Sequence, residues 1–563
     1  MDNSIYIRKL EKSDLPRTLK WMNNSDIKKY ININKPITEE SQKEWFTSLY
    51  NSKNPSNVVF AIYLNSNKNH IGNVNLSMID YDNRNARLAI FIADEDKRGR
   101  GYGTVAIEKV LEFGFGKLKL NKVYLKVDVK NLPAVRMYKK IGFKIEGILK
   151  KHDYSEDGFI DKYTLGILKS EFEKNQYSRD KVVSRETIPF NKIHIAGNEI
   201  NNILNSLYSN KISGDGVYTS KCNKLLEEKF GVYKVLLTTS CSISLDMAAI
   251  LFNIKDGEEV IMPSYSFPSL ANSFLMRGAQ IRFVDIKEET FNIDEEKIES
   301  AINRNTKAIA IVHYAGVSCN MEKIINIAKD HSLLVLEDAA QAINSKYKEK
   351  YLGTMGDLGT FSFHETKNII SGEGGALLIN NEEYAERAEI IREKGTNRNK
   401  FFRGEIDKYT WVDIGSSFLP SEVIASFLYA QLEMLDDITE KRLDIWNYYY
   451  MNLEDLEKEG FLKRPVIPKD CSHNGHIFYI LLRKNSIRDN LIKYLRNRNI
   501  SSLFHFLPLH LSPMGQKLGY KKKDLPITEN ISGKILRLPF YYDLKRKDQD
   551  LVVNSIRNFF KNH

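Results

Sequence analysis

The sequence is poor in the residues that most constrain a fold chemically. It has four cysteines in 563 residues, Cys222, Cys241, Cys319 and Cys471, and they lie far apart. Their spacing gives neither a disulfide framework nor a metal-ligand pattern. No metal is therefore expected, and isolated thiols suit a reducing cytoplasm. No run approaches the ~18 uninterrupted apolar residues that a membrane span needs. Met1-Asp2-Asn3-Ser4 lacks the basic-then-apolar order of a signal peptide. Internal repeats and low-complexity tracts are absent as well.

What is present is ordinary in bulk and uneven in detail. Hydrophobic residues make up 42% and charged residues 28%, the proportions of a soluble globular protein. The length exceeds what one core supports and predicts two or three domains. The net charge is +11, but residues 1–170 hold 30 Lys and Arg against 20 Asp and Glu, whereas the remainder holds 53 against 52. A basic front part suits an anionic partner, whether nucleic acid or small phosphorylated ligands; it also suits a bare lysine-rich surface. Strands and helices alternate through residues 1–170. A polar, charged stretch, Lys169–Glu186, then reads as a helical tail or linker. Beyond it, the short apolar runs at Val235, Glu259, Ile281, Ala308 and Leu333 suggest a mainly parallel sheet covered by helices. From about Ser421 the chain turns helical before a smaller α+β region. The expected divisions are 1–170, a linker at 171–187, a large domain at 188–430 and a small one at 431–563.

Lys367 is the most informative residue. It lies in Phe361-Ser362-Phe363-His364-Glu365-Thr366-Lys367-Asn368, just ahead of Gly372-Glu373-Gly374-Gly375. The strand-like Leu333–Leu336 precedes Glu337-Asp338-Ala339-Ala340-Gln341. An acid ending a buried strand, with a lysine about 30 residues on among small and hydroxylated residues, is what a pyridoxal phosphate (PLP) enzyme needs. The lysine holds the cofactor's aldehyde, and the acid keeps the pyridine nitrogen protonated. Ser240-Cys241-Ser242, at an expected helix start, offers N–H groups and hydroxyls to a phosphate.

A second site is written near the N-terminus. Arg98-Gly99-Arg100-Gly101-Tyr102-Gly103 follows a strand-like run and opens a helix, where backbone N–H groups can approach a pyrophosphate. Asn131 and Tyr138 follow on a later helix. In these strings the front part resembles the GNAT acetyltransferases. The resemblance implies acetyl-CoA bound at Arg98, Gly99, Arg100, Gly101, Tyr102, Gly103 and Asn131. It also implies that Tyr138 protonates the leaving thiolate. A base for the acceptor amine is not identifiable.

The strings around Lys367, with Lys211–Gly216, Arg392–Arg398 and Lys408–Ser417, resemble the DegT/StrS-type sugar aminotransferases, with an aspartate-aminotransferase-like (PLP type I) fold. Within that family they look most like the dTDP-4-amino-4,6-dideoxygalactose transaminases. The resemblance implies Lys367 as the covalent anchor and proton carrier, Asp338 on the ring nitrogen and Gln341 on the ring hydroxyl. It places Ser242, Cys241 and Ser362 at the phosphate, with Phe267 stacked on the ring. At Cys241-Ser242 the family usually has Gly-Thr, so Ser242 ranks above Cys241. Ser417 stands where the family often sends an Asn from a partner chain, and His505 and His510 border the sugar. Core packing for Phe267 and buried or surface positions for the two histidines are the competing readings. A ligand sensor of this fold would carry a helix-turn-helix, which is not found; a dehydratase variant would replace Lys367 by His.

Together the two resemblances imply an α/β bifunctional enzyme. It would aminate a nucleotide-linked keto sugar from glutamate and then acetylate the amino sugar from acetyl-CoA, acting as a homodimer with shared sites and without nucleic acid or membrane. Other nucleotides, the gluco epimer and acetylation of a protein amine remain open on sequence.

Overall fold

The computed structural model describes residues 4–24, 36–50, 55–155, 158–174 and 187–561. The chain forms two compact units, Met1–Arg185 and Glu186–His563. Most of the expected linker, and residues 1–3 of the N-terminal reading, lie outside the described residues. Among the described residues no helix is long and apolar enough to cross a membrane.

The first unit is built on seven strands: β1 (Ile5–Lys9), β2 (Val58–Leu64), β3 (His70–Asp80), β4 (Asn85–Ile92), β5 (Lys122–Asp128), β6 (Lys144–Ser155) and β7 (Gly158–Leu168), in the order β1-β2-β3-β4-β5-β7-β6. Strands do not alternate with helices throughout, as the sequence suggests. β2, β3 and β4 follow one another as antiparallel neighbours, because the connections between them are too short for a helical crossover. Among the described residues of this unit β4 and β5 form the one parallel pair, with the helix Tyr102–Gly116 between them in sequence. In β5, Val123, Leu125 and Val127 are buried between half-buried Lys122, Tyr124, Lys126 and Asp128, the period-2 pattern of a strand with one face on the core. Pairing of β4 with β5 runs only from Asn85–Lys122 to Arg87–Tyr124, although both strands continue. Their facing edges therefore part, and unpaired backbone groups line the gap. Phe172 is buried against Phe115, with ring centroids 5.5 Å apart, so the chain just past residue 170 still packs on this unit.

The second unit holds β8 (Lys234–Thr238), β9 (Glu259–Pro263), β10 (Gln280–Val284), β11 (Thr306–Val312), β12 (Leu334–Asp338), a short hairpin β13 (Lys346–Tyr347) and β14 (Lys350–Tyr351), β15 (Leu358–Ser362) and β16 (Gly375–Ile379). Its main sheet runs β10-β9-β11-β12-β15-β16-β8. It is parallel from β10 to β15, while β16 opposes both of its neighbours. The loop from β15 to β16 contains no helix to carry a parallel crossover, so the pair closes as a hairpin. Lys367 sits in that hairpin. A smaller sheet of β17 (Leu462–Lys463), β19 (Tyr479–Leu482) and β20 (Ile535–Arg537) packs with the helices Leu435–Asn452, Asn485–Arg496 and Arg546–Lys561 around Trp446, Phe478 and Leu491. The two-residue β18 (Cys471–Ser472) pairs with β13.

Candidate active sites

Asp338 ends β12 and is buried. One carboxylate oxygen accepts the N–H of Ala340 at 3.0 Å; the other takes no hydrogen bond from the described residues. Burial pushes the Asp338 carboxyl above its usual range, against the pull of Ala340, Lys367 and His313. Such an acid is poised to meet a cation that the protein does not itself supply. Lys367 is half-buried. The atoms packed around it nonetheless lower its pKa; Arg537 adds to the effect, while Cys241 and Asp338 oppose it. A lowered pKa favours the unprotonated amine, the form that acts as a nucleophile.

Nothing in the local sequence points to the group behind Asp338. Glu337 points to the opposite face of β12 and is fully buried. Its carboxylate accepts from Gly353 N at 2.8 Å and from Met355 N and Gly356 N at 2.6 Å. It also lies 2.8 Å from Nε2 of buried His313. Because Cys319 N donates to His313 Nδ1, the imidazole proton is on Nε2. Gln341 accepts from Ala315 N at 2.7 Å, and among the described residues its amide NH2 has no partner.

The anion cradle differs in detail from expectation. Ser240 is the N-cap of the helix Cys241–Leu251 and accepts from Ile243 N. Ser242 meets Ser269, on the helix Pro268–Leu275, at 2.7 Å. Two hydroxyls and two helix starts thus converge, and Ser269 was not foreseen. Cys241 is half-buried, its Sγ 3.6 Å from Thr360 Oγ1, and burial pushes its thiol up to about 12. Its side chain meets Thr360 of β15, and its backbone N–H is one of those at the helix start. Ser362, also buried, approaches His364 N at 3.5 Å. Gly375 lets β16 pass close beneath this helix start, since a Cβ there would stand 2.4 Å from Cys241 N. These groups fit a flat aldehyde cofactor with a phosphate: an amine, an acid for a ring nitrogen, an unused amide donor, and paired hydroxyls at helix N-termini.

Phe267 is 62% exposed, its ring centroid 6.4 Å from that of Phe506, which rules out a core position. His505 stacks on Phe506 at 3.8 Å and lies 2.6 Å from Tyr314 Oη. Burial, with Arg537 and Lys367 nearby, holds its pKa well below the usual value. His510 departs from the expected sugar contact. It is fully buried, with Nδ1 2.7 Å from Ser264 Oγ and Nε2 3.3 Å from Glu529, so both ring nitrogens are occupied by the fold. Ser417 is exposed and bridges Glu393 through its backbone; the next residue, Phe418, accepts from Thr239 N at 3.1 Å, one residue before Ser240.

In the first unit, Gly99 and Gly101 have φ of 74° and 87°, a region side chains avoid, and Gly101 caps the helix Tyr102–Gly116. Gly103 packs close under Met137, half-buried Tyr102 rests on the core, and Arg100 is exposed. The helix lies between β4 and β5 in the chain and packs against both strands. Arg98 is spent on structure: Nε and Nη2 donate to the carbonyls of Ile92 and Ala93, and Nη1 approaches Glu95. It fixes the turn instead of reaching a ligand. Asn131 caps the helix Leu132–Ile141 by accepting from Ala134 N at 3.3 Å, which leaves its NH2 for another partner. Tyr138 is buried against Phe143, and burial raises its hydroxyl to about 12.

Comparison with known proteins agrees with this geometry. Residues 4–144 match the acetyltransferase (GNAT) domain. A GDP-perosamine synthase of Escherichia coli is 31% identical over 66% of this chain and 98% of its own length. The spore coat polysaccharide biosynthesis protein SpsC of Bacillus subtilis is 31% identical over 66% and 97%. The solved Helicobacter pylori PseC, an aminotransferase of pseudoaminic acid biosynthesis, superposes with a TM-score of 0.62 at 25% identity, over 67% of this chain and 100% of that one. Residues 194–557 match the DegT/DnrJ/EryC1/StrS aminotransferase family, and the chain belongs to that family, with an acetyltransferase domain joined in front.

Proposed function

We propose that the chain carries out consecutive steps on one nucleotide sugar. The second unit transfers the amino group of glutamate to carbon 4 of dTDP-4-dehydro-6-deoxy-D-glucose, giving dTDP-4-amino-4,6-dideoxygalactose. The first unit then acetylates that amine from acetyl-CoA. The observation that carries the reading is the pairing itself: an aminotransferase makes the primary amine that an N-acetyltransferase consumes, and both are in one chain.

Aminotransferases of this family use PLP, which when bound supplies the electron sink for the amino transfer. Lys367 holds it covalently and carries the proton to and from the substrate carbon. Asp338 keeps a proton on the ring nitrogen, and the Gln341 amide donates to the ring oxygen. Ser242, Ser269 and Ser362, with the N–H groups of the helix Cys241–Leu251, hold the phosphate, and Phe267 covers the ring. In the first unit the N–H groups at Gly101–Gly103 hold the pyrophosphate of acetyl-CoA. The Asn131 amide orients its pantetheine arm, and Tyr138, protonated throughout the neutral range, gives its proton to the leaving thiolate.

A second copy is part of the reading. Phe402, Tyr409 and Trp411 are 66%, 50% and 75% exposed near Ser417, an apolar strip suited to a homodimer with shared aminotransferase sites. The GDP-perosamine synthase relatives favour a GDP-linked sugar as the second reading. The test supplies dTDP-, GDP- and UDP-linked 4-keto-6-deoxy sugars with glutamate and acetyl-CoA, followed by mass spectrometry and NMR of carbon 4. An acetamido product from the dTDP sugar alone supports the proposal. Preference for GDP moves it to the second reading, and amination without acetylation refutes the role of the first unit.

A further inference from the structure

Among the described residues Lys367 Nζ makes no hydrogen bond, so the place of its amine is set by what holds its backbone. Lys367 N donates to the carbonyl of His364 at 2.9 Å. The next residue, Asn368, is buried and is held by a segment far away in the chain. Its Nδ2 donates to the carbonyl of Asn474 at 2.9 Å. Its Oδ1 lies 2.9 Å from Nδ1 of buried His476. Because that oxygen can only accept, the imidazole donates from Nδ1. Burial, with Lys367 and Arg442 nearby, holds the His476 pKa well below its usual value.

The turn Asn474–His476, between β18 and β19, is itself pinned. Arg442, on the helix Leu435–Asn452, is buried, and among the described residues it has no carboxylate partner. Its Nε donates to the carbonyl of Gly475 at 3.0 Å and its Nη2 to that of His476 at 2.6 Å. Asn474 Nδ2 donates to the carbonyls of Gln341 and Ile343 at 3.0 and 2.8 Å. Its Oδ1 is buried with no partner among the described residues, and a Cβ on Gly316 would stand 2.2 Å from it. A buried amide with an unsatisfied oxygen is costly. What it secures is a fixed hold on the chain just past Asp338. One turn of the small domain thus grips both arms of the cofactor site, the strand end that carries Asp338 and Gln341 and the hairpin that carries Lys367. Within that grip, His476 is the side chain bonded to the residue next to the amine. We propose that His476, acting through Asn368, is a positioning residue that sets where the Lys367 amine stands. The inference rests on the PLP-dependent aminotransferase reading but not on which sugar is used.

The experiment uses the full chain freed of cofactor, in wild-type, His476→Leu, His476→Asn and Asn368→Ala forms. Two ligands are titrated. The aldehyde of PLP condenses with the Lys367 amine to a C=N bond with loss of water, followed by imine absorbance. Pyridoxine phosphate has no aldehyde, and its binding is followed by fluorescence. His476→Leu is expected to weaken imine formation by about tenfold or more while pyridoxine phosphate affinity stays within about threefold, as loss of one buried hydrogen bond on the lysine arm predicts. Transamination kcat of the loaded chain should fall by about 10- to 100-fold with half-saturating glutamate within about threefold, since a displaced amine slows proton transfer rather than binding. Asn368→Ala should show the same split, and adding His476→Leu to it should cost little more, because the two act through one bond. His476→Asn, whose amide donates from the place of Nδ1, recovers most of the imine. Equal loss of both ligands, an unchanged imine, or additive losses in the double variant overturns the proposal. A wild type without imine absorbance overturns the PLP reading and this inference with it. A wild type that forms the imine leaves that reading standing whichever way the variants fall.

Discussion

His313 donates from Nε2 to Glu337 at 2.8 Å with neither side chain exposed, and this buried pair stands directly behind the acid that faces the cofactor site. The pair ties the end of β11 to β12, and Glu337 also gathers the turn at Gly353–Gly356. Glu337→Gln replaces one acceptor oxygen by an NH2 group facing N–H donors. The loss is expected to be about 2–4 kcal/mol, the range for breaking a buried hydrogen-bonded charge. Calorimetric melting of the full chain should show the second unit's transition moving down while the first unit's stays. A second unit that melts unchanged would show that the carboxylate is dispensable to the fold.

Asp338 carries the opposite bargain. Its folded pKa is raised by burial, so without cofactor its charge is a cost. Stability from such an acid is fullest below its unfolded pKa and falls as pH rises toward the folded pKa. Asp338→Asn keeps the bond from Ala340 N and removes the charge. The cofactor-free variant should therefore melt higher than wild type at pH 7, and the gain should shrink as pH falls into the carboxylate range. Transamination should drop by about 100- to 1000-fold, since a fixed charge at the reacting system is lost. A variant melting lower at pH 7 would mean that the carboxylate is stabilising where it stands.

Lys367 and Asp338 were legible because each announces itself locally: an acid ends an apolar run, and a lysine sits among small residues before glycines. The strand runs of the second unit were legible for the same reason, being short and buried on both faces. Arg537, His313 and Ser269 were not. Each reaches the site through long-range pairing, as when β11 lies beside β12 or Arg537 N donates to Leu503 O. His510 misled because Ser264 and Glu529, which occupy its nitrogens, lie far from it in at least one direction of the chain. Arg98 misled because its guanidinium is used by carbonyls of its own turn.

Gly375 links the lysine hairpin to the anion cradle. A methyl group there would press on backbone on both sides, 2.4 Å from Cys241 N and 2.5 Å from the Ser240 carbonyl carbon. Neither can swing away as a side chain would. Gly375→Ala should push the start of the helix Cys241–Leu251 off β16 and spread Ser242 from Ser269. PLP affinity, measured by fluorescence titration, is expected to fall by about tenfold or more, consistent with overpacking costs of 1–3 kcal/mol. Affinity equal to wild type would show that the cradle does not depend on this close approach.

The two units should fail separately. Lys367→Ala removes the amine that the aminotransferase chemistry requires, so amination of a keto sugar should vanish. The same protein should still acetylate an amino sugar supplied directly, because nothing in the first unit is touched. Tyr138→Phe should do the reverse. Among the described residues its hydroxyl makes no hydrogen bond, and burial raises its pKa to about 12. The wild-type acetylation rate should therefore show no loss attributable to this group across the neutral range. Removing it should slow acetyl transfer by about 100-fold or more, the usual contribution of a positioned general acid. Amination should stay within the error of the assay, and packing against Phe143 is kept by the phenylalanine ring. Coupled assays on the two variants, with amine and acetamide read by mass spectrometry, separate the outcomes. If Lys367→Ala also abolished acetylation of the supplied amino sugar, the first unit could not be treated as an independent enzyme.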